Sequence, residues 1–226
     1  MQGRASFGRS VSLVSGMVDS CCWFSSAIIE DIKSMQDAKS LIAYYYFDFK
    51  DASKRDVHGL LTSLLFQLSC NSDSCWDLLH ALYIEYGAGS EQPSDAVLAE
   101  CLESMLELPG QLPIFVIMDA IDECPITTGT PSAREKVLDF VEHLVVSNHP
   151  NLFICITSRP EQDIQNVLNP LTPASRLVSL HDEAGQRADI KNYVYSFVHG
   201  DRTMRKWRTD DRELVINILP TRANGM

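Results

Sequence analysis

The chain has 226 residues, of which 45% are hydrophobic. This is enough apolar material to bury one large core or a domain and a half, so a disordered chain is not expected. The 30 acidic residues outnumber the 19 basic ones, for a formal net charge of -11, so we expect neither nucleic acid nor an anionic membrane surface as a partner. No segment approaches the roughly 18 continuous apolar residues of a membrane helix.

Strand-like and helix-like patterns alternate after the first two dozen residues. Apolar residues at helical spacing predict a helix over Trp23–Met35, and the aromatic and β-branched run Leu41–Phe47 predicts a strand covered on both faces. The leucine-rich stripe from Val57 to Leu68 predicts an amphipathic helix packed on a sheet. Two more helices are predicted at Trp76–Tyr86 and Val97–Leu106.

The second half of the chain continues this alternation with a weaker signal. Buried strands are predicted at Pro113–Met118 and Asn151–Thr157, with a helix between them whose apolar stripe runs from Val137 to Val145. A fourth strand at Arg176–Leu180 and a last helix at Asp210–Leu219 follow. The helix between these two has a predicted apolar face formed by Ile190, Tyr193, Val194 and Phe197.

Apolar strands separated by helices predict an α/β fold, a parallel sheet flanked by helices on both faces in three layers. The seven cysteines contain no CxxC pair and several lie in apolar stretches. Free thiols in a reducing compartment are therefore expected, which favours a cytoplasmic protein. The six histidines are scattered, so no zinc site is expected.

Acidic residues follow one predicted strand directly. Asp119, Asp122 and Glu123 come after the apolar run of LPIFVIMDAIDECP, at the edge of an open α/β sheet where ligands bind. Asp119 could hold Mg²⁺ directly or through water, which is a metal and cofactor-binding role. Asp122 and Glu123 could polarise a water for attack on a phosphate, which is a catalytic role. The alternative is an acidic turn that only caps the next helix.

A guanidinium is predicted on the same edge. The strand in LFICITSRP ends in Thr157, Ser158 and Arg159, and Pro160 stops it. Arginine suits the charge of a terminal phosphate, so Arg159 is a candidate cofactor-binding residue. The alternative is a structural ion pair between Arg159 and Asp119 or Glu123. The two strand ends together are more specific than either one alone.

The order of these segments resembles the NACHT domain of fungal STAND proteins, the nephrocystin-like NTPase modules of NOD-like receptors. The segments that carry the resemblance are SSAIIEDI (Ser25 to Ile32), YYYFDF (Tyr44 to Phe49), LLTSLLFQLS (Leu60 to Ser69), FVIMDAIDEC (Phe115 to Cys124) and FICITSRPEQDI (Phe153 to Ile164).

The resemblance implies a P-loop NTPase-like fold that binds ATP or GTP with Mg²⁺. It makes Asp119, Asp122 and Glu123 the Walker B motif and Arg159 the sensor. It also implies three parts: a divergent segment over residues 1–24, the α/β domain over 25–200, and the start of a truncated helical subdomain over 201–226, so that the fold is incomplete at both ends. The closing Ala223–Met226 is similar to the start of a further helix in relatives.

The resemblance fails at the phosphate loop, GxxxxGK[ST], which relatives carry before the SSAIIEDI-type helix. The corresponding stretch is SGMVDSCC, with Ser20, Cys21 and Cys22 where the last glycine, the lysine and the serine or threonine belong. Gly16 is displaced by one position, and Asp19 adds negative charge. Nucleotide binding is therefore predicted to be weak or absent, since the lysine and the amide cradle are missing.

Losing the strand that feeds this loop would leave a gap in the middle of the sheet, because in relatives it lies between the sensor strand and the last strand. The run VSLVSGMV at residues 11–18 is the candidate to fill the gap as a short strand.

Three functions remain open at this point. The chain is a regulatory module that acts through self-association or protein partners on flanking repeat domains, or a residual NTPase that uses Asp122, Glu123 and Arg159, or a non-functional gene fragment.

Overall fold

The computed structural model describes residues 11–15, 18–34, 40–126, 129–179 and 184–222. Five strands and eight helices lie in this part of the chain. In chain order they are β1 (Val11–Ser15), α1 (Val18–Ser34), β2 (Leu41–Tyr46), α2 (Val57–Asn71), α3 (Asp73–Glu85), α4 (Asp95–Leu106), β3 (Ile114–Asp119), α5 (Ala133–Ser147), β4 (Leu152–Ser158), α6 (Gln162–Leu171), β5 (Leu177–Ser179), α7 (Ala184–Gly200) and α8 (Thr209–Arg222).

The five strands form one parallel sheet in the order β2-β3-β4-β1-β5. The predicted parallel α/β fold is confirmed. Strand β1 lies between β4 and β5, with Leu13 opposite Ile156 on one side and Leu177 on the other. The prediction that the segment at residues 11–18 fills the middle of the sheet is therefore confirmed for Val11–Ser15, while Val18 begins helix α1.

The two faces of the sheet are covered by different helices, because successive side chains of a strand point to opposite sides. On one face Ile114, Val116 and Met118 of β3 join the main core, which is closed by buried residues of α2, α4, α5 and α6. On the other face, Ile117 and Asp119 of β3 are buried and α1 packs against β3 and β4. The sheet is thus flanked on both faces, in three layers.

Helix α2 fixes the edge of the sheet at β2. Its leucine stripe is buried, and Asp56 caps its amino terminus by accepting a hydrogen bond from the Gly59 amide at 2.9 Å. Gln67 then reaches β2, donating to the Tyr44 carbonyl at 2.7 Å and accepting from the Tyr44 amide at 3.1 Å. These bonds pair backbone groups that an edge strand would otherwise leave open.

Helix α1 begins at Val18, five residues earlier than predicted. Helix α6 was not predicted at all; its buried residues Ile164, Leu168 and Leu171 complete the core beside α5.

The predicted apolar face of α7 is wrong in part. Tyr193 is 70% exposed and Phe197 48% exposed, whereas Val198 is buried. Helix α8 packs along α7 and buries its own Ile216.

Some predictions fall on residues that the structure does not describe. The end of the predicted fourth strand at Leu180, the displaced Gly16 and the closing Ala223–Met226 lie outside the described residues. Within the described part, no helix is long and apolar enough to cross a membrane.

Candidate functional site

The carboxylate of Asp119 ends β3 in an enclosed position, with 1% of its surface exposed. Its Oδ1 accepts a hydrogen bond from the Ser25 hydroxyl of α1 at 2.6 Å and another from the Thr157 hydroxyl of β4 at 2.5 Å. Ser25 and Thr157 are themselves fully buried. Asp119 therefore joins α1, β3 and β4 at one point. We call the edge of the sheet at the carboxyl ends of its strands, together with the turns that follow them, the rim.

The chain turns directly after Asp119 through a left-handed residue. Ala120 has φ 58° and ψ 50°, a conformation that costs a residue with a side chain about 1 kcal/mol. Its amide donates to the Thr157 hydroxyl oxygen at 3.0 Å, so that hydroxyl both accepts from Ala120 and donates to Asp119. This turn sends the following 3₁₀ segment, Ile121–Glu123, towards the end of β4.

Asp122 and Arg159 meet at the rim. The Asp122 carboxylate accepts from the Arg159 amide at 3.0 Å and lies 3.3 Å from the guanidinium Nε. The Asp122 side chain is only 3% exposed, whereas that of Arg159 is 53% exposed. Burial raises the pKa of Asp122, and the Arg159 amide and guanidinium offset part of this effect.

Glu123 faces a third segment of the rim. Its carboxylate accepts a hydrogen bond at 3.1 Å from the amide of Phe49, in the turn that follows β2. The backbone pairing continues this contact, because the Phe47 amide donates to the Asp119 carbonyl at 3.0 Å. Glu123 thus holds the β2 turn against the β3 turn.

A buried arginine, which the sequence analysis did not predict, binds the turns that follow β3 and β4. The Arg134 side chain, on the first turn of α5, is 6% exposed. Its Nε donates to the Cys124 carbonyl at 2.9 Å and another nitrogen donates to the Asp122 carbonyl. A third donor pairs with Glu161 and, at 3.2 Å, with Asp163.

The Arg134 guanidinium therefore links the turn after β3 to the turn after β4. Burial alone would lower the pKa of Arg134, but the bonds to Glu161 and Asp163 more than compensate, and its pKa is raised. The guanidinium therefore stays charged, and we call its set of bonds to the two turns the clamp. In sequence the only hint is that Arg134 is the first lysine or arginine after Arg55.

The amino-terminal side of the rim has a different construction. Strand β1 ends at Ser15 and helix α1 begins at Val18, so two residues connect them. Positions 18–22 of the window that corresponds to GxxxxGK[ST] lie inside α1. A phosphate loop needs an extended run of residues between strand and helix to aim its backbone amides at one anion. This connection does not supply that run.

The rim does not fit Mg²⁺ well either. Magnesium requires octahedral oxygen coordination and keeps several waters, which takes open space around the carboxylate. Asp119 is enclosed, and its Oδ1 already accepts from two hydroxyl groups. Among the described residues no group of three or more histidine, cysteine, aspartate or glutamate side chains could hold a metal ion.

The structure brings all four predicted residues to one rim. Asp119 contacts Thr157, two positions before Arg159, and Asp122 pairs with Arg159 itself. Of the alternatives for Arg159, the ion pair is present, but its partner is Asp122 and not Asp119 or Glu123. The catalytic, metal and cofactor roles remain predictions.

Comparisons with known proteins give a family. The family model described as "Nephrocystin 3, N-terminal" matches residues 22–159. Among solved structures, a chain of "Structure of Drosophila ORC bound to DNA" aligns with 95% of this chain and 49% of its own length, at 12% identity and a TM-score of 0.49. This chain thus spans about half the length of that one.

No curated protein matches the sequence. The family match begins at Cys22 in α1, includes Asp119, Asp122 and Glu123, and ends at Arg159, so it covers more than half of the chain. The chain belongs to the nephrocystin-3 N-terminal family.

Proposed function

We propose that this chain is a NACHT-type regulatory module of a fungal NOD-like STAND signalling protein, in which nucleotide binding is weak or absent. Its role is then carried by protein contacts and not by hydrolysis of ATP or GTP. The family match and the parallel sheet support a module of the nucleotide-binding type. Three features of the rim support the loss of nucleotide binding.

The observation that carries the proposal is the short connection between β1 and α1. Only two residues separate Ser15 from Val18, and α1 already includes positions 18–22. The free amides at the amino terminus of a helix point along the axis towards a single anion, but they do not wrap around a chain of phosphates as a loop does. The family match supports this, because it begins at Cys22, where the phosphate loop of relatives ends.

The residue types at these positions oppose an anion as well. Cys21 stands where the family has its lysine, and Asp19 adds a negative charge. A charge-assisted hydrogen bond from lysine to phosphate contributes about 1.5–3 kcal/mol, so its loss alone weakens binding by about 10- to 150-fold.

The carboxylate side supports the same proposal, because its groups already have partners within the protein. Asp122 pairs with Arg159, and Glu123 accepts from the Phe49 amide. These contacts occupy part of each carboxylate and compete with activation of a water for attack. Contacts of this kind hold segments of the protein together and support a structural role for the rim.

A loop graft tests the proposal. Residues 15–22 are replaced by an eight-residue glycine-rich sequence of the form GxxxxGKS, and the same graft with alanine in place of its lysine is the matched control. Both variants and the unaltered chain are titrated with a fluorescent ATP analogue and Mg²⁺. We expect no saturable binding by the unaltered chain and at least about tenfold tighter binding by the graft than by its alanine control.

Two results would overturn the proposal. One is micromolar binding by the unaltered chain, which would mean that phosphate is held by other means. The other is turnover of ATP that disappears in Glu123→Gln of the unaltered chain, which would favour a residual NTPase.

A further inference from the structure

An apolar pocket lies away from the rim, between α3, the turn at residues 86–93 and α4. Its volume is about 420 Å³, within the range of about 300–1,000 Å³ that is typical of binding sites. Aromatic and aliphatic side chains form nearly all of its wall, among them Trp76, Leu79, Tyr83, Tyr86 and Leu98. We call it the α3–α4 pocket. Trp76 and Tyr83 are each 51% exposed, so its mouth is open to solvent.

The surroundings of the α3–α4 pocket are strongly acidic. The segment from Asp73 to Glu107 contains no lysine and no arginine. Its acidic residues are Asp73, Asp77, Glu85, Glu91, Asp95, Glu100, Glu103 and Glu107. Glu91 itself lines the pocket. The occupant that this surface favours therefore combines a large apolar side chain with flanking positive charge.

The chain carries such a segment itself. Residues 202–208, RTMRKWR, contain four basic residues and no acidic one, in a protein whose formal net charge is -11. Trp207 lies in this basic tryptophan segment with 43% of its surface exposed, between the exposed side chains of Lys206 and Arg208. An exposed tryptophan with cationic neighbours is the kind of residue that dominates binding energy at protein interfaces.

The pocket and the segment are associated with opposite edges of the sheet. Helices α3 and α4 follow the edge strand β2 and pack on α2 and on each other. The basic tryptophan segment connects α7 and α8, which follow the other edge strand, β5. A contact between the pocket and the segment is therefore favoured between two molecules over a contact within one.

We propose that the basic tryptophan segment of one copy docks in the α3–α4 pocket of a second copy, with Trp207 inserted between Trp76 and Tyr83. The contact is head-to-tail, because the two surfaces differ: after docking, one copy keeps a free pocket and the other keeps a free segment. It goes beyond the proposed function and does not depend on nucleotide. Charge attraction between the acidic pocket region and the basic segment makes the association sensitive to salt.

Sedimentation velocity on the full chain tests this, over concentrations from low micromolar to several hundred micromolar. The unaltered chain should show sedimentation coefficients that rise with concentration, and less so in high salt. Trp207→Ala should weaken association by at least about tenfold. Tyr193→Ala is the matched control, because it removes an even more exposed aromatic side chain of the neighbouring helix and should leave association unchanged.

A mixing experiment tests the head-to-tail geometry. Tyr83→Lys adds a positive charge and removes an aromatic wall of the pocket at a half-exposed helical position, so the fold should persist. Each variant alone should be monomeric at concentrations where the unaltered chain associates. The Trp207→Ala variant keeps an intact pocket, and the Tyr83→Lys variant keeps its tryptophan. A mixture of the two should therefore form a one-to-one dimer that does not grow further.

Three results would overturn the proposal: an unaltered chain that stays monomeric throughout, association that survives Trp207→Ala, or a mixture of the two variants that stays monomeric. The titration with the ATP analogue fails or succeeds independently of all three.

Discussion

The two sides of the rim have different kinds of structure. On the β3–β4 side, side chains hold the turns in place. Asp119 accepts from two hydroxyl groups, Asp122 pairs with Arg159, and Arg134 binds both turns. On the β1–α1 side, β1 pairs with β4 and β5, and only two residues connect it to α1.

This difference shows that the sheet and the phosphate site depend on different properties of the sequence. A parallel strand such as β1 needs only a short apolar segment that pairs with β4 and β5, and VSLVS suffices. An anion cradle needs backbone conformations and a cation that only particular residues provide. The sheet can therefore form whether or not an anion cradle is present.

The largest expected effect is at the clamp of the β3–β4 side. Arg134→Met keeps the apolar stem but leaves the Asp122 and Cys124 carbonyls without this donor and Glu161 without its partner. Because two backbone carbonyls lose a charged donor at once, we expect a loss of about 3 kcal/mol in the free energy of unfolding, measured by urea denaturation. Arg159→Met, at a 53% exposed side chain, should cost about 1 kcal/mol. Equal losses for the two would contradict the clamp.

A second effect concerns the packing that supports the rim at β2. A Cβ added at Gly59 would lie 2.2 Å from the Ser53 carbonyl oxygen and 2.5 Å from the Tyr45 hydroxyl. Gly59→Ala should therefore cost about 2 kcal/mol, by thermal or urea unfolding. Gly200→Ala is the matched control, because nothing lies within 4 Å of its added Cβ at the end of α7, and it should not destabilise the protein. A neutral Gly59→Ala would mean that the turn at Ser53 is free to move.

Next in size is the hydroxyl that joins β3 to β4. Thr157→Val preserves the shape of the side chain but leaves the Ala120 amide without an acceptor and removes one donor to Asp119. We expect a cost of about 1.5 kcal/mol, and less for Ser25→Ala, which removes a donor only. The double variant should differ from the sum of the single ones, since both hydroxyl groups bond the same oxygen. Strict additivity would show that the two contacts are independent.

The smallest effect is a pH dependence at Asp122. Burial raises its pKa in the folded protein above the ordinary value of 3.8, so the stability it contributes is present below that value and is lost as pH rises through the folded pKa. Asp122→Asn does not ionise. Its unfolding free energy relative to the unaltered chain should therefore increase as pH rises from about 4 and then level off. A relative decrease over the same range would mean that attraction to Arg159 outweighs burial.

Much of this architecture could be predicted from sequence where the signal is local and periodic. The stripe of α2 and the buried strands before Asp119 and Arg159 depend on apolar spacing, which a single sequence retains. The place of β1 in the sheet was predicted from the resemblance. Two elements could not be predicted this way. Helix α6 is short, begins at Gln162 just after Pro160 and contains Pro170. The buried residue of α7, Val198, does not belong to the apolar face that its spacing predicts.

The site was predictable in its residues but not in its contacts. The positions of Asp119, Asp122, Glu123 and Arg159 follow from the ends of adjacent strands. That Asp122 pairs with Arg159, and that Arg134 lies beneath both turns, depends on side-chain contacts between segments distant in sequence. The periodicity of a sequence does not predict contacts of this kind, so the bonds of Arg134 became evident only in the structure.

The central claim is that the rim has lost its ability to bind nucleotide while keeping its fold. Thermal unfolding of the unaltered chain with and without about 1 mM Mg·ATP tests this most directly, since a Kd of about 10 μM would add about 2.7 kcal/mol and raise Tm by several degrees. We predict no change in Tm beyond about 1 °C. A rise of 5 °C or more, reproduced with a non-hydrolysable analogue, would contradict it.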